Sequence, residues 1–230
     1  MLAVEGAVSE KRKSEIKEVV EAWLDNRYQV KSVKTTPLKN VLEVRIGNEL
    51  VYVDDTASFL FVDGQMISLK SGENLTEMRK QEIFKINFSD LPLDLAIKKQ
   101  FGVIKNPNRV IAIFEDPYCS YCRKLRLTLS KMKDLTVYTF LFPILGEKSI
   151  KTSETILCSK NPAESWEKLM LDGIKPEKFN NDCSANVEKL LSLGKKYNVE
   201  ATPTIYLING TRISGAVSKK ILNSALDEIK

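Results

Sequence analysis

The chain has 230 residues, a formal net charge of +5, 43% hydrophobic residues and 28% charged residues, which is the composition of a folded globular protein. Its Lys and Arg residues are interleaved with acids and form no basic block with aromatic residues between them, so nucleic-acid binding is not expected. No apolar run reaches the ~18 residues that would suggest a membrane span.

The N-terminal stretch MLAVEGAVSEKRKSEIKEV lacks the basic-then-apolar layout of a secretory signal. Either the protein is cytosolic, or this is a mature form from which a signal peptide has been removed. The cysteines bear on that choice, and all of them follow Arg109: Cys119, Cys122, Cys158 and Cys183. An even number with one close pair suits an oxidising compartment, although four cysteines allow three pairings.

The first third of the sequence predicts a small α+β unit without a reactive site. A helix is predicted over Ser9–Trp23, because its apolar residues fall on one face opposite the charges: Ile16, Val19, Val20 and Trp23. Period-two patterns then predict strands from Val30, over 41–46 and 49–53 with a turn at Gly47–Asn48, and over 58–62 and 65–68 with a turn at Asp63–Gly64. Asp-Gly between alternating strands favours a type I′ turn, because both central residues need a positive φ.

The segment from 71 to 100 predicts a helical connector, since Gly and Pro are sparse in it. Helices are predicted over Asn74–Lys80 and Asp90–Gln100, and Ser89 or Asp90 would cap the second. We therefore place an N-terminal domain at residues 1–80, a helical linker at 81–104 and a C-terminal domain at 105–230.

From Arg109 onward the pattern is that of an α/β domain. The continuous apolar run Val110–Phe114 predicts a central strand buried on both faces. The CxxC of Cys119 and Cys122 then opens a helix that continues through Leu125, Leu127 and Met132. A strand over 136–142, helices over 149–159, 162–171 and 185–197, a hairpin of 204–208 and 211–213, and a helix from Ser218 follow in that order. This is the element order of a thioredoxin fold.

The two close cysteines are not equivalent. A cysteine in the first turn of a helix faces unpaired backbone N–H groups and the positive end of the helix dipole, which favour its thiolate. Cys122, one turn further along, gains less from both. We therefore predict that Cys119 attacks and Cys122 resolves. The basic residues that follow, Arg123, Lys124 and Arg126, are interpreted as a solvated helix face.

A static disulfide and a zinc half-site are the alternatives for this pair. Zinc needs two further ligands at close spacing, but the chain has no His, and Cys158 and Cys183 are far apart in sequence. A CxxC at a strand-to-helix junction is a redox site far more often than a static disulfide. The sequence therefore predicts a redox pair, with no metal and no cofactor.

The sequence ATPT at 201–204 precedes a predicted buried strand downstream of the CxxC. Thioredoxin-like sites hold a cis-proline loop beside the attacking cysteine, where the substrate backbone pairs as an added strand. A trans-proline that starts a strand is the alternative, but the CxxC and the proline together, in this order, favour the cis form. We assign Thr202, Pro203, Ser120 and Tyr121 to substrate binding.

Cys158 and Cys183 lie in the predicted helical block. We interpret them as a structural disulfide, which would stabilise the domain by about 3 kcal/mol in the chain-entropy model. Their spacing alone does not distinguish this disulfide from the alternative, two buried free thiols in a cytosolic protein.

Several of these stretches resemble the bacterial DsbC/DsbG thiol:disulfide interchange proteins: VIAIFEDPYCSYCRKL at 110–125, LFP at 141–143, LCSK around Cys158, DCS around Cys183 and ATPTIYLINGTRISG at 201–215. The resemblance spans nearly the whole chain and is strongest from Val110 onward. It implies an α+β chain: a C-terminal thioredoxin-like domain with a helical insertion, joined by a helix to a small N-terminal cystatin-like domain that makes a homodimer. It also implies a second disulfide between Cys158 and Cys183.

The same resemblance implies a periplasmic disulfide isomerase or reductase that acts on misfolded substrate proteins and is kept reduced by a membrane reductase. The dipeptide Ser120–Tyr121 departs from the Gly-Tyr of the isomerase and the Pro-Tyr of the DsbG type. Because this dipeptide tunes the reduction potential, the balance between isomerase, reductase and holdase roles stays open. The alternatives are a chaperone-like holdase dimer with a secondary redox site, and a dithiol oxidase. The absence of His between the cysteines argues against a very strong oxidant.

Overall fold

The computed structural model describes residues 8–47, 49–179 and 182–229. The chain divides into two compact units between Ile83 and Phe84, within the range predicted as a linker. Asn48 of the predicted first turn lies outside the described residues. Within the described ranges, no helix is both long and apolar enough to cross a membrane.

The first unit packs one helix against a four-stranded antiparallel sheet. The helix α1 (Glu10–Trp23) begins after Ser9, whose side chain accepts a hydrogen bond from the Arg12 backbone N–H at 3.2 Å. The sheet has the order β1-β2-β3-β4, with β1 Val30–Thr35, β2 Val41–Ile46, β3 Glu49–Asp54 and β4 Leu60–Phe61, and the helix α2 (Leu75–Phe84) follows. Its core combines Ile16 and Val20 of α1 with valines and a leucine of the sheet.

Two expectations for this unit need correction. Val19 and Trp23, predicted on the buried face of α1, are 49% and 64% exposed, because only the strip along Ile16 and Val20 contacts the sheet. The predicted hairpin around Asp63–Gly64 is wrong, since 65–68 forms a single bridge and no strand. A type I′ turn needs two positive φ angles, and Asp63 has one (58°) whereas Gly64 does not.

The second unit is a five-stranded sheet with helices on both faces. The strands are β5 Ile97–Phe101, β6 Val110–Glu115, β7 Leu135–Leu141, β8 Thr204–Leu207 and β9 Arg212–Ser214, in the order β5-β7-β6-β8-β9. Only β6 and β7 pair in parallel. The helices are α3 Ser120–Leu129, α4 Glu147–Leu157, α5 Pro162–Glu167 with a π-helical extension at Lys168–Asp172, α6 Val187–Lys196 and α7 Lys219–Asp227.

The central strand β6 separates two apolar cores. Ile111 and Ile113 face a core shared with α3 and α7, whereas Ala112 and Phe114 face a core shared with α4, α5 and α6. Successive side chains of a strand point to opposite faces, so an unbroken apolar run is what a strand covered on both sides requires. The predicted central strand is therefore confirmed.

The predicted helix at Asp90–Gln100, and with it the helical linker over 81–104, is wrong beyond Phe84. The chain instead makes two short 3₁₀ turns and then β5, which pairs with β7. Pro92 keeps Leu91 extended (ψ 128°), because a residue before proline disfavours the helical conformation. Ile97 and Phe101 are buried while Lys98 and Gln100 are exposed, which is a strand pattern.

Candidate active site

Cys119 is the N-cap of α3, at the carboxyl end of β6. Its sulfur accepts a hydrogen bond from the Cys122 backbone N–H at 3.4 Å, and its S–H donates to the Thr202 carbonyl at 3.2 Å. The side chain is 8% exposed. The peptide dipoles of α3 therefore point their positive end at this sulfur.

The turn that carries Cys119 is fixed by the buried carboxylate of Asp116. This carboxylate accepts hydrogen bonds from the Tyr118 backbone N–H at 2.8 Å, the Leu145 backbone N–H at 3.0 Å and the Ser149 hydroxyl at 2.9 Å. The Cys119 backbone N–H in turn donates to the Asp116 carbonyl at 3.2 Å. The turn that carries the first sulfur is thus fixed by hydrogen bonds within itself and to the segment 145–149.

Cys122 lies one helical turn further along α3 and has no exposed surface. Burial raises the pKa of the Cys122 thiol far above its ordinary value, and the negative charge of Glu115 raises it further. Both cysteines are free thiols. The pair therefore combines a sulfur at a helix N-terminus, in a residue that is 8% exposed, with a sulfur that has no exposed surface and whose thiol form is favoured by burial.

A proline loop lies directly beside Cys119. The Thr202–Pro203 bond is cis, and the carbonyl of Thr202 is the group that accepts the Cys119 hydrogen bond. The loop leads into β8, whose first residue Thr204 pairs with Phe114 of β6. The structure thus places Thr202 and Pro203 next to the first cysteine.

The remaining predicted residues lie as follows. Ser120 and Tyr121 form the first turn of α3 and are exposed, Tyr121 by 62%. Cys158, at the end of α4, forms a disulfide with Cys183 across Cα atoms 5.7 Å apart. That pair lies outside the CxxC.

Of the basic residues interpreted as a solvated helix face, Arg123 and Lys124 are exposed, whereas for Arg126 the interpretation is wrong. Its side chain has no exposed surface, and its guanidinium binds the carboxylate of Glu115 through two nitrogens, the shorter pair being Nη2 to Oε2. It also binds Glu167 at 2.9 Å and the Thr139 hydroxyl, and lies 5.5 Å from the centre of the Trp166 ring. Arg126 is therefore the centre of a buried ion network.

This network was not predicted, yet the sequence carries a signal for it. Glu115 continues the apolar run of β6 without a break, and such a strand is buried on both faces. Arg126 follows Cys122 by four residues, so both lie on one face of α3. Burial raises the pKa of Glu115, while the Arg126 guanidinium opposes that rise.

Comparisons with known proteins agree with this geometry. Residues 98–230 match the model of a thioredoxin-like domain, and residues 7–77 match the model of the disulfide bond isomerase protein N-terminal domain. A probable thiol:disulfide interchange protein DsbC of Bordetella parapertussis is 37% identical over 199 residues, covering 86% of this chain and 69% of that protein.

Two further relatives extend the likeness. The thiol:disulfide interchange protein DsbC of Escherichia coli K12 is 25% identical over 203 residues, covering 85% of this chain and 80% of that protein. The crystal structure of a disulfide interchange protein from Neisseria gonorrhoeae has a TM-score of 0.55 and 31% identity, covering 60% of this chain and 97% of that one. These matches confirm the predicted fold class, an α+β chain with a C-terminal thioredoxin-like domain.

Proposed function

The chain belongs to the DsbC family of thiol:disulfide interchange proteins, and we propose that it is a periplasmic disulfide isomerase and reductase that works through Cys119 and Cys122. Thiol:disulfide interchange is the activity of the family. The two reactive sulfurs, the substrate-binding residues, the compartment and the partners are the proposal.

The first step forms a mixed disulfide. The Cys119 thiolate attacks one sulfur of a substrate disulfide, so a Cys119–substrate S–S bond forms as the substrate S–S bond breaks. The departing substrate sulfur leaves as a thiolate and takes a proton from water. No electrons have left the two proteins at this point.

The mixed disulfide then has two fates. In isomerisation, another substrate thiolate attacks it, a new substrate disulfide forms and Cys119 is released as a thiolate, with no net oxidation. In reduction, Cys122 loses its proton and attacks Cys119, so the enzyme ends with a Cys119–Cys122 disulfide and the substrate with two thiols. A membrane thiol reductase must then return two electrons to the enzyme.

The single observation that supports this proposal best is the asymmetry of the pair. Cys119 caps a helix and contacts the Thr202 carbonyl, while Cys122 has no exposed surface and burial raises the pKa of its thiol. Slow resolution by Cys122 gives substrate thiols time to compete, which favours isomerisation. Thr202, Pro203, Ser120 and Tyr121 would bind the substrate backbone and side chains at this point.

The partners follow from the same proposal. The substrates are misfolded proteins with wrong disulfides, and exposed Tyr121 and Leu145, near the turn that carries Cys119, offer apolar surface to unfolded chains. A homodimer through the first unit is proposed from the match to the isomerase N-terminal domain. Sedimentation equilibrium should then give twice the 26.0 kDa of the chain.

Refolding of scrambled ribonuclease tests the chemistry. Cys119→Ala should abolish recovery of ribonuclease activity, whereas Cys122→Ala should keep isomerisation but lose net reduction of substrate disulfides. Recovery that survives Cys119→Ala would contradict the redox mechanism and favour a holdase. Equilibration with glutathione buffers would show the direction of electron flow, and a strongly oxidising pair would favour the oxidase alternative.

A further inference from the structure

A groove lined by lysines begins at the residue before Cys119. It has a volume of about 450 Å³, and its walls come from Tyr118, from α4 and from the segment that follows the π-helix. Lys148, Lys151 and Lys175 line it. Among the residues that the structure describes, Glu147 is the one acidic residue in its lining.

Tyr118 is the fixed wall of this groove. Its hydroxyl is hydrogen-bonded to the Thr152 hydroxyl at 2.9 Å, and the Lys148 ammonium lies 4.3 Å from the centre of its ring. An ammonium over an aromatic face is held by the ring quadrupole without using up its N–H donors. Lys148 is therefore held against Tyr118, the residue before Cys119, with its donors available.

The charges in the groove do not cancel. Lys151 pairs with Glu147 at 2.6 Å on the surface of α4. Lys148 and Lys175 form no ion pair with any residue in 8–47, 49–179 or 182–229. Two ammonium groups therefore face the groove without a carboxylate partner, and this groove begins at Tyr118, the residue before Cys119.

We propose that this groove binds acidic side chains of the substrate segment beside the disulfide under attack, and so favours substrates with Asp or Glu near the reacting cysteine. An extended chain advances ~3.3 Å per residue, so a carboxylate two or three residues from that cysteine lies ~7–10 Å from it. The groove begins at Tyr118, the residue before Cys119, so a carboxylate at that spacing in the substrate is placed to enter it. The inference rests on the proposed function and adds a substrate preference to it.

A set of three disulfide peptides tests the preference with the full-length protein. The peptides carry Asp, Asn or Lys at the second and third positions from one cysteine and are otherwise identical. Quenched-flow mass spectrometry gives the second-order rate constant for their reduction by the reduced protein. We expect the Asp peptide to react about three- to tenfold faster than the Asn peptide, and high salt to remove most of that difference.

Two double variants test whether the lysines of the groove cause the preference for the Asp peptide. Lys148→Gln with Lys175→Gln should remove the preference for Asp while the Asn peptide keeps its rate within about twofold. Lys189→Gln with Lys195→Gln removes the same net charge from exposed positions of α6 outside the groove and should keep the preference. Circular dichroism melts would show that all four substitutions leave the fold intact.

The outcomes separate this inference from the proposed function. If wild-type protein reduces the Asn peptide but shows no preference for Asp, the groove proposal fails alone. It also fails if the preference survives the Lys148 and Lys175 substitutions, or if the α6 variant loses it equally. If no peptide is reduced at all, the proposed thiol chemistry itself is wrong.

Discussion

At the scale of single residues, the negative charge of Glu115 affects Cys122, the cysteine that we propose resolves the mixed disulfide. Glu115 is buried, is held by Arg126, and is one of the groups that raise the pKa of Cys122. Desolvation and a nearby negative charge therefore both disfavour the thiolate form of Cys122. In the proposed mechanism, Glu115 therefore slows the resolving attack by Cys122.

Glu115→Gln should speed the resolving attack by Cys122, because the substitution removes one cause of its raised pKa. The expected gain is about tenfold for each pKa unit by which the Cys122 thiol is lowered. The rate should rise with pH in wild type and variant alike, since attack requires the thiolate. Release of a reporter thiol from a preformed mixed disulfide on Cys119 measures it.

Glu167→Gln is the matched control for this substitution. It removes the same charge from the Arg126 network, but Glu167 is not among the groups that raise the pKa of Cys122. Slower release in Glu115→Gln would contradict the expectation and would indicate that Glu115 accepts the Cys122 proton.

Arg126→Met should destabilise the second unit by about 3–5 kcal/mol at pH 7, because it leaves buried Glu115 without its positive partner. Burial raises the pKa of Glu115 above its ordinary value of 4.5, and loss of Arg126 removes the main opposing cause. The folded state then binds a proton more tightly than the unfolded chain, so its stability falls as pH rises above 4.5.

Urea unfolding at pH 4.5 and pH 7 measures this effect, and the deficit should be smaller at the lower pH. Adding Glu115→Gln to Arg126→Met should remove most of the difference between the two pH values. An equal loss of unfolding free energy at both pH values would mean that the lost packing of Arg126, and not the unpaired carboxylate of Glu115, causes the destabilisation.

At the scale of elements, the β8–β9 hairpin is held against the segment before β5 by a glycine. Gly210 has a φ of +83°, and a Cβ there would meet the Ile86 carbonyl oxygen at 1.9 Å. The Ile86 backbone N–H also donates to the Gly210 carbonyl at 3.2 Å. The hairpin that follows the proline loop is thus fixed by a backbone contact that any side chain would disrupt.

Gly210→Ala should therefore cost more free energy of unfolding than Gly215→Ala. Gly215 has nearly the same φ of +81°, but a Cβ there meets nothing within 4 Å. The Gly215 variant carries only the left-handed cost of ~1–2 kcal/mol, and the Gly210 variant should lose a further ~1–3 kcal/mol. Denaturant midpoints compare them, and equal losses would contradict the steric contribution of Ile86.

The elements also show how far the sequence could be used. The strand, the CxxC helix and the proline loop were predictable, because a buried run, a cap and an X-Pro bond are local signals. The strand at Ile97–Phe101 was not, since its pairing with β7 overrides a sequence rich in Lys and Gln. Arg126 was misjudged for the same reason, because its partners Glu115 and Glu167 are distant in sequence.

At the scale of the whole molecule, the cysteines are confined to one of the two units of the chain. All four cysteines lie in the second unit, and the first unit carries none. Within the second unit, the pair Cys158–Cys183 closes a loop of 25 residues while the CxxC pair is free. The Cys158–Cys183 disulfide therefore restricts the unfolded chain, and the free CxxC pair is the one that we propose exchanges electrons.

Replacing Cys158 and Cys183 by Ser should lower the free energy of unfolding by about 3 kcal/mol, because the unfolded chain regains the loop entropy. The rate of substrate reduction at Cys119 should stay within about twofold below the melting transition. Urea unfolding and peptide reduction measure the two effects. Replacing Cys119 and Cys122 by Ser is the converse control. A stability loss of similar size there would contradict the expectation that the Cys158–Cys183 disulfide, and not the CxxC pair, stabilises the fold.

The carbonyl of Thr202 has one more consequence. In the resting enzyme this oxygen receives the hydrogen of the Cys119 thiol. In the proposed mechanism, once that sulfur loses its proton or bonds to another sulfur, the Thr202 oxygen loses this hydrogen bond and is free to accept one from a backbone N–H of the substrate. Formation of the thiolate would therefore also expose a hydrogen-bond acceptor for the substrate backbone.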